Sequence, residues 1–243
     1  MSRDQLFRSR PGAPFTFDEG VVEVFPDMIE RSVPGYRTLL ELTPLMVQRA
    51  VQPDSRIYDL GCSLGAATRA ALRAPGAAQA SVVAVDNSSA MVHRFRQALA
   101  DDTPPAPVQV IEADIRSVPI ENASVVMLYF TLQFVPPGDR DALIRRIHAG
   151  IRPGGVLLMA EKLCDEQADR HELLDALHLD FKRAQGYSEL EIARKRQALE
   201  DVLVPEPAAR HHARLREAGF VPTVEWFRAL NFAAFAAFRP PRP

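Results

Sequence analysis

The chain has 243 residues, 47% apolar and 25% charged, which is a globular composition large enough for one α/β domain with additions over residues 1–243. Its net charge of −2 argues against direct binding of nucleic acid, because proteins that grip a phosphate backbone carry a basic excess. No apolar run could span a bilayer and residues 1–15 lack the apolar core of a signal peptide, so we expect a cytoplasmic protein without a membrane partner.

The first part of the chain, residues 1–52, is predicted to form a helical cap. Residues 17–46 have apolar spacing suited to short helices, and Pro26 and the Pro34–Gly35 pair are expected to break them. From residue 56 onward, strand and helix patterns alternate. Strands are predicted at residues 56–60, 81–86, 107–114, 124–130 and 156–163, and helices at residues 66–72, 88–99 and 142–151. This alternation predicts a doubly wound, Rossmann-like and mainly parallel sheet.

Residues 165–205, here called the insertion, depart from the alternation. They are charged and helical in pattern, with an expected break at Gly186. Residues 223–230 and 232–238 then form the last strands, which we predict to be antiparallel. The insertion and the N-terminal helices are expected to cap the strand ends.

The first strand runs into a glycine turn, residues 61–65, before a helix begins. Glycine lets the backbone turn sharply and approach a ligand, so this turn predicts an adenosyl-binding loop formed by Gly61, Cys62 and Ser63. Ser63 stands where a middle glycine is common, and a tight turn without a ligand is the alternative. Cys62 is interpreted as a small buried side chain rather than a nucleophile.

Acidic residues follow the next two strands. Asp86, followed by Asn87, is placed to accept hydrogen bonds from both ribose hydroxyls, and a helix cap is the alternative that the nearby Ser88 and Ser89 make less needed. Asp114 could accept the adenine amino protons while the amide of Ile115 serves a ring nitrogen, and a surface turn is the alternative. Glycine or acid at three successive strand ends describes the class I S-adenosylmethionine-dependent methyltransferase fold.

Arg196 lies in a helical stripe with Ile192, Leu199 and Leu203. A guanidinium on a core-facing position needs an anionic partner, either a ligand or an acid of this chain or of its dimer mate. Together with the glycine loop, Arg196 predicts S-adenosylmethionine chemistry with an additional negative charge. The two cysteines form no CxxC pair and the six histidines lack metal-ligand spacing, so we expect no metal.

The resemblance becomes specific in the longer motifs. The chain resembles the carboxy-S-adenosyl-L-methionine synthase family in the segments FTFDEGVVEVFPDMIERSVPGY, YDLGCSLGAAT, AVDNSSAM, FTLQFVPP, DFKRAQGYSELEIARKR and EWFRALNF. The likeness spans nearly the whole chain, including the insertion. It implies cofactor contacts by Tyr36, Gly61, Cys62, Ser63, Asp86, Asn87, Asp114, Ile115 and Arg196.

The same resemblance implies a reaction and partners. S-adenosyl-L-methionine and prephenate would become carboxy-S-adenosyl-L-methionine and phenylpyruvate, in a homodimer. The product would serve a carboxymethyltransferase that modifies a tRNA wobble uridine. Arg196 would hold the new carboxylate.

Tyr129 takes a tenth cofactor-contacting position implied by the resemblance, but it departs from the family pattern, which usually has asparagine at this strand exit. Tyrosine is larger and lacks the two amide donors, so either its ring turns away or the pocket is altered. Two other functions stay open: an ordinary methyltransferase and a non-catalytic subunit that binds S-adenosylmethionine.

Overall fold

The structure is a computed structural model that describes residue 4, residues 17–199 and residues 202–241. The expected absence of a signal peptide concerns residues 1–15, which lie outside the described residues except for residue 4. The same applies to most of the first 16 residues of the predicted cap and to residues 200–201 of the insertion.

Seven strands form one sheet within the described part of the chain, in the order β3-β2-β1-β4-β5-β7-β6. The strands are β1 (Arg56–Leu60), β2 (Ser81–Asp86), β3 (Val108–Glu112), β4 (Ala123–Tyr129), β5 (Ile151–Lys162), β6 (Thr223–Ala229) and β7 (Phe232–Phe238). The first five pair in parallel, and β7 runs antiparallel to both β5 and β6. This confirms the predicted fold class, including the antiparallel last strand.

Helices connect the strands and cover the sheet. They are α1 (Glu19–Ser32), α2 (Tyr36–Ala50), α3 (Ala66–Leu72), α4 (Ser89–Ala100), α5 (Pro137–Gly150), α6 (Ala168–Ala184), α7 (Glu189–Leu199) and α8 (Ala208–Glu217). The break between α6 and α7 contains Gly186 with φ +83°, which agrees with the prediction. Within the described residues, every helix is too short or too polar to cross a bilayer.

The core lies on both faces of the sheet. Strand β4 is buried along its whole length, because helices cover both sides of a central parallel strand. One apolar cluster includes Leu128, Ile144 and Phe235, and a second on the opposite face includes Met127 and Leu158. Successive residues of β4 thus point into different clusters, which explains its continuous apolar sequence.

Two predicted boundaries were wrong. Helix α1 continues through Pro26, because the apolar residues Val21, Val22 and Met28 on its buried face pack together in one cluster despite the lost hydrogen bond. Strand β5, predicted to begin at residue 156, begins at Ile151 instead, and a register shift opposite Ala123 absorbs the two glycines that precede Val156.

A buried ion network fixes the end of the insertion to the sheet. Arg140 of α5 is fully buried and pairs with Glu206 at 2.7 Å. Its guanidinium also donates to the carbonyls of Val135 (2.8 Å), Gln133 (3.2 Å) and Val204 (3.0 Å). Arg140 therefore connects the loop after β4 to the chain that leaves the insertion.

Candidate active site

A cavity of about 870 Å³ opens at the carboxyl ends of the parallel strands. This is where open α/β sheets bind ligands. The walls include residues of α1, α2, α6 and α7 as well as the strand exits. The lining contains all ten residues predicted from the sequence, namely Tyr36, Gly61, Cys62, Ser63, Asp86, Asn87, Asp114, Ile115, Tyr129 and Arg196.

The glycine loop folds back on the second strand. The amides of Gly61 and Cys62 both donate to the carbonyl of Val85, at 2.8 and 2.9 Å. Gly61 has φ +83°, and a β-carbon there would overlap the side chain of Thr131. Ser63 also has a positive φ of 49°, which is uncommon for a residue other than glycine. The loop is therefore held in a conformation that brings its backbone to the cavity.

Asp86 ties this loop to the start of α4. Its carboxylate accepts from the amides of Ser63 (2.8 Å) and Ser88 (2.9 Å), and burial raises its pKa. Ser88 itself caps α4 by accepting from the amide of Met91. Because another residue fills the capping position, the cap alternative does not account for Asp86.

Asp114 is engaged by a neighbouring arginine. The guanidinium of Arg116 donates to both carboxylate oxygens, at 2.6 to 3.1 Å, and lowers the pKa of Asp114. A carboxylate oxygen has a second acceptor direction, so Asp114 retains capacity for a ligand amine. Ile115 is buried beside it.

The interpretation of Cys62 as a buried residue is consistent with the structure. Its side chain is 3% exposed, and burial raises the pKa of the thiol, which keeps it protonated and unreactive.

Asp59, the acid near the end of β1, was not selected as a site residue from the sequence, although it lines the same cavity. Burial raises its pKa to about 6 despite a 2.6 Å hydrogen bond from Thr68. The sequence feature that could have identified Asp59 is an acid near the end of an otherwise apolar strand.

Tyr129 fills the strand exit with its ring buried at 8% exposure. Its hydroxyl lies 3.1 Å from the hydroxyl of Thr43, which donates to the carbonyl of Leu39 within α2. Since Thr43 uses its proton for Leu39, Tyr129 is the donor of that hydrogen bond. Tyr129 therefore connects β4 to α2 beneath the cavity.

We expect Tyr129→Phe to lower the free energy of unfolding by about 0.5–1.5 kcal/mol, because one buried hydrogen bond is lost while the ring is kept. Affinity for S-adenosylmethionine should stay unchanged, because the hydroxyl is directed at α2. Denaturant unfolding and calorimetry check the two parts. A clear loss of affinity in the folded variant would instead assign the hydroxyl to the cofactor.

The core-facing interpretation of Arg196 was wrong. Ile192 is buried, but Arg196 is exposed and Leu199 is half-buried, because this side of α7 faces the cavity rather than the core. Among the described residues, no ion pair or hydrogen bond engages the guanidinium of Arg196. Its charge is thus available to a ligand in the cavity.

Sequence reasoning did not identify a group of basic and polar residues on the insertion side. Lys162 ends β5, and α6 presents His171, Asp175, His178 and Lys182 on one face. Burial, with a contribution from Lys162, lowers the pKa of Lys182 to about 8. The spacing of three to four residues along α6 was the available signal.

Similarity to known proteins agrees with this geometry. A family model described as a methyltransferase domain matches residues 57–155. Relatives named carboxy-S-adenosyl-L-methionine synthase match nearly the whole chain, as three of them illustrate. The protein from Geobacter sp. (strain M21) is 53% identical and covers 93% of both chains. That from Klebsiella pneumoniae subsp. pneumoniae is 50% identical over 98% of this chain and 97% of its own. The Vibrio cholerae protein is 52% identical over 93% and 92%, respectively.

Solved structures support the fold. An O-methyltransferase family protein from Burkholderia thailandensis has a TM-score of 0.68 at 18% identity, covering 93% of this chain and 61% of that one. Human N-acetylserotonin methyltransferase in complex with SAM has a TM-score of 0.62 at 18% identity, covering 93% and 57%. Identities this low carry the fold alone, whereas the three relatives match at about 50% over nearly their whole length. The chain therefore belongs to the carboxy-S-adenosyl-L-methionine synthases, a family of enzymes within the class I methyltransferase superfamily.

Proposed function

We propose that the enzyme converts S-adenosyl-L-methionine and prephenate into carboxy-S-adenosyl-L-methionine and phenylpyruvate. The observation that carries this proposal is Arg196, which pairs with none of the described residues and lies in the wall of the same cavity as the glycine loop. A methyltransferase acting on plain S-adenosylmethionine has no need for a guanidinium at this place, whereas a carboxylated sulfonium offers it a carboxylate. Arginine matches a carboxylate with two parallel hydrogen bonds.

The cofactor half of the cavity would hold S-adenosylmethionine through the strand exits. Asp86 and Asn87 are placed for the ribose, Asp114 and Ile115 for the adenine, and the loop at Gly61 for the amino-acid part. The sulfonium is a cation, and the buried Asp59 beneath the loop adds a carboxylate near the bound cofactor.

The chemistry needs no protein nucleophile. The carbon–carbon bond to the ring carboxylate of prephenate breaks and releases carbon dioxide, and the electron pair enters the ring as hydroxide leaves. The hydroxide takes a proton from the sulfonium methyl group and becomes water. The resulting ylide attacks carbon dioxide and forms the new carboxymethyl group. The protein would position the two substrates, exclude water and stabilise charge.

The test is incubation with S-adenosylmethionine labelled in its methyl group, with and without prephenate, followed by mass spectrometry. A labelled carboxymethyl sulfonium and phenylpyruvate, formed only with prephenate, are the expected products. A methylated acceptor would instead indicate an ordinary methyltransferase. Absence of turnover with intact cofactor binding would indicate a non-catalytic subunit.

We further propose the partners that follow from this reaction. The product would be consumed by a carboxymethyltransferase acting on the tRNA wobble uridine, so this chain itself needs no contact with nucleic acid, in keeping with its net charge of −2. A homodimer in the cytoplasm is proposed with it. Sedimentation of the purified protein checks the oligomeric state.

Replacing Asp86 with asparagine should weaken binding of S-adenosylmethionine by about 1–2 kcal/mol, because hydrogen bonds to charged acceptors are stronger than those to neutral ones. Glu112→Gln is the matched control. Glu112 lies opposite Asp86 in the register of β2 and β3, but it is outside the cavity lining. Calorimetry on both variants measures the difference. Equal affinities would remove Asp86 from the ribose site.

A further inference from the structure

Lysine is used in this chain in one place only. Three of the 29 basic residues are lysines, namely Lys162, Lys182 and Lys195, and all three line the cavity. The other basic residues are arginines, most of which lie outside the cavity. A compact ammonium group is therefore confined to the site, where it can bind an anion as a point charge.

The three lysines differ in what they contact. Lys195 donates to the hydroxyl of Ser32 at 2.6 Å and lies over the ring of Tyr187, so it belongs to the wall between α1 and α7. Lys162 lies 3.6 Å from the carboxylate of Asp175. Lys182 makes no side-chain hydrogen bond or ion pair with any residue of the described chain. Lys182 is thus the lysine whose charge is least compensated.

The carboxylate of Asp175, which lies beside Lys162 and Lys182, already has several partners. Asp175 accepts from the amide of Asn231 at 3.0 Å and lies 3.6 Å from both Lys162 and His171. His178 donates to the carbonyl of Ser32 at 2.8 Å, and burial lowers its pKa to about 3, so it is neutral. One carboxylate therefore faces two ammonium groups, and Arg196 lies close enough to add a third positive charge.

An uncompensated cation in a half-buried wall is costly unless an anion joins it. We propose that Lys182, together with Lys162, forms an anion subsite for a carboxylate of the second substrate, a small dicarboxylate. This inference rests on the proposed function, where that dicarboxylate is prephenate. Arg196 holds the carboxylate of the product, and the lysines hold the substrate that supplies it.

The subsite also explains the position of the insertion. Lys182 is carried by α6 and Lys162 by the end of β5, so the two reach the cavity from the insertion and from the sheet. Docking of a dicarboxylate between them would join the insertion to the sheet. The cofactor half of the cavity, formed by the strand exits, needs neither lysine.

The experiment measures binding of prephenate to the full chain loaded with S-adenosylhomocysteine, which cannot react. Lys182→Gln should lower the affinity for prephenate by roughly 10- to 100-fold, which is the scale of losing a hydrogen bond to a charged group. Lys182→Arg should restore much of the affinity. Binding of S-adenosylhomocysteine should be the same in all variants. Arg183→Gln is the matched control, because it removes a charge from the same helix outside the cavity lining.

Turnover of the wild-type protein is measured in parallel, which separates the two proposals. If the wild type makes the carboxylated sulfonium but Lys182→Gln binds prephenate normally, the subsite is wrong and the function stands. If prephenate binds through Lys182 without turnover, the subsite stands and the function is wrong. A wild type that does not bind prephenate, or a variant that loses both ligands equally, overturns the subsite.

Discussion

Replacing Arg140 with alanine is expected to lower the free energy of unfolding by roughly 3–5 kcal/mol, since buried acceptors left without a donor cost about 1 kcal/mol or more each and the lost side chain leaves a cavity. The carbonyls of Val135 and Val204 lose their side-chain donor in this variant, whereas the carbonyl of Gln133 keeps a hydrogen bond from the amide of Val204 at 3.0 Å. Glu206 keeps the bidentate pair with Arg214, at 2.7 and 2.8 Å, so its charge is not left alone. The loss therefore comes mainly from the carbonyls and the cavity.

The matched control is Arg145→Ala, on an exposed position of the same helix. It should change stability by less than about 0.5 kcal/mol, as surface substitutions do. Denaturant unfolding of the two variants gives the comparison. Equal losses would mean that the buried guanidinium contributes no more than a surface charge. Because Val204 lies at the end of the insertion, Arg140→Ala should also expose that segment to proteolysis.

Arg196→Ala should weaken binding of the carboxylated cofactor by roughly 2–3 kcal/mol, which is the lower part of the range for removing one half of a desolvated charge pair. The lower part applies because Arg196 is exposed before the ligand arrives. Plain S-adenosylmethionine lacks the carboxylate and should lose much less. Competition binding of the two ligands to the folded variant measures this selectivity.

Arg194→Ala is the control for Arg196, because Arg194 lies two residues earlier on α7 and outside the cavity lining. It should leave the ratio of the two affinities unchanged. If Arg196→Ala weakens both ligands equally, the selectivity role is wrong. A fall in thermal stability together with such equal losses would assign Arg196 a structural role.

The order of elements was predictable because it is written in local patterns. Apolar runs of strand length alternate with helical spacing, and glycines mark the turns, so the parallel sheet and the break at Gly186 followed from neighbouring residues alone. The loop at Gly61 and the acid Asp86 were predictable for a related reason. The carboxyl ends of parallel strands meet at one edge, so residues that follow different strands are brought together by the fold class itself.

Other features depend on contacts between distant segments. The hydroxyl of Tyr129 reaches Thr43, which is far away in sequence and on a different helix. The direction of Arg196 depends on which side of α7 meets the cavity, and a stripe of apolar residues looks the same whether it faces a core or a cavity wall. Packing also overrode a local rule at Pro26, where the buried face of α1 maintained the helix.

The sequence by itself determined the strand and helix order, the glycine loop after β1 and the acids at the strand ends, because short-range periodicity and turn chemistry encode them. Only the tertiary structure decided which charges are compensated. Asp114 is paired with Arg116, Arg140 is buried with Glu206, and Lys182 is left facing the cavity. The sign and number of charges are fixed by composition, but the free energy of each depends on distances and burial that only the folded chain sets.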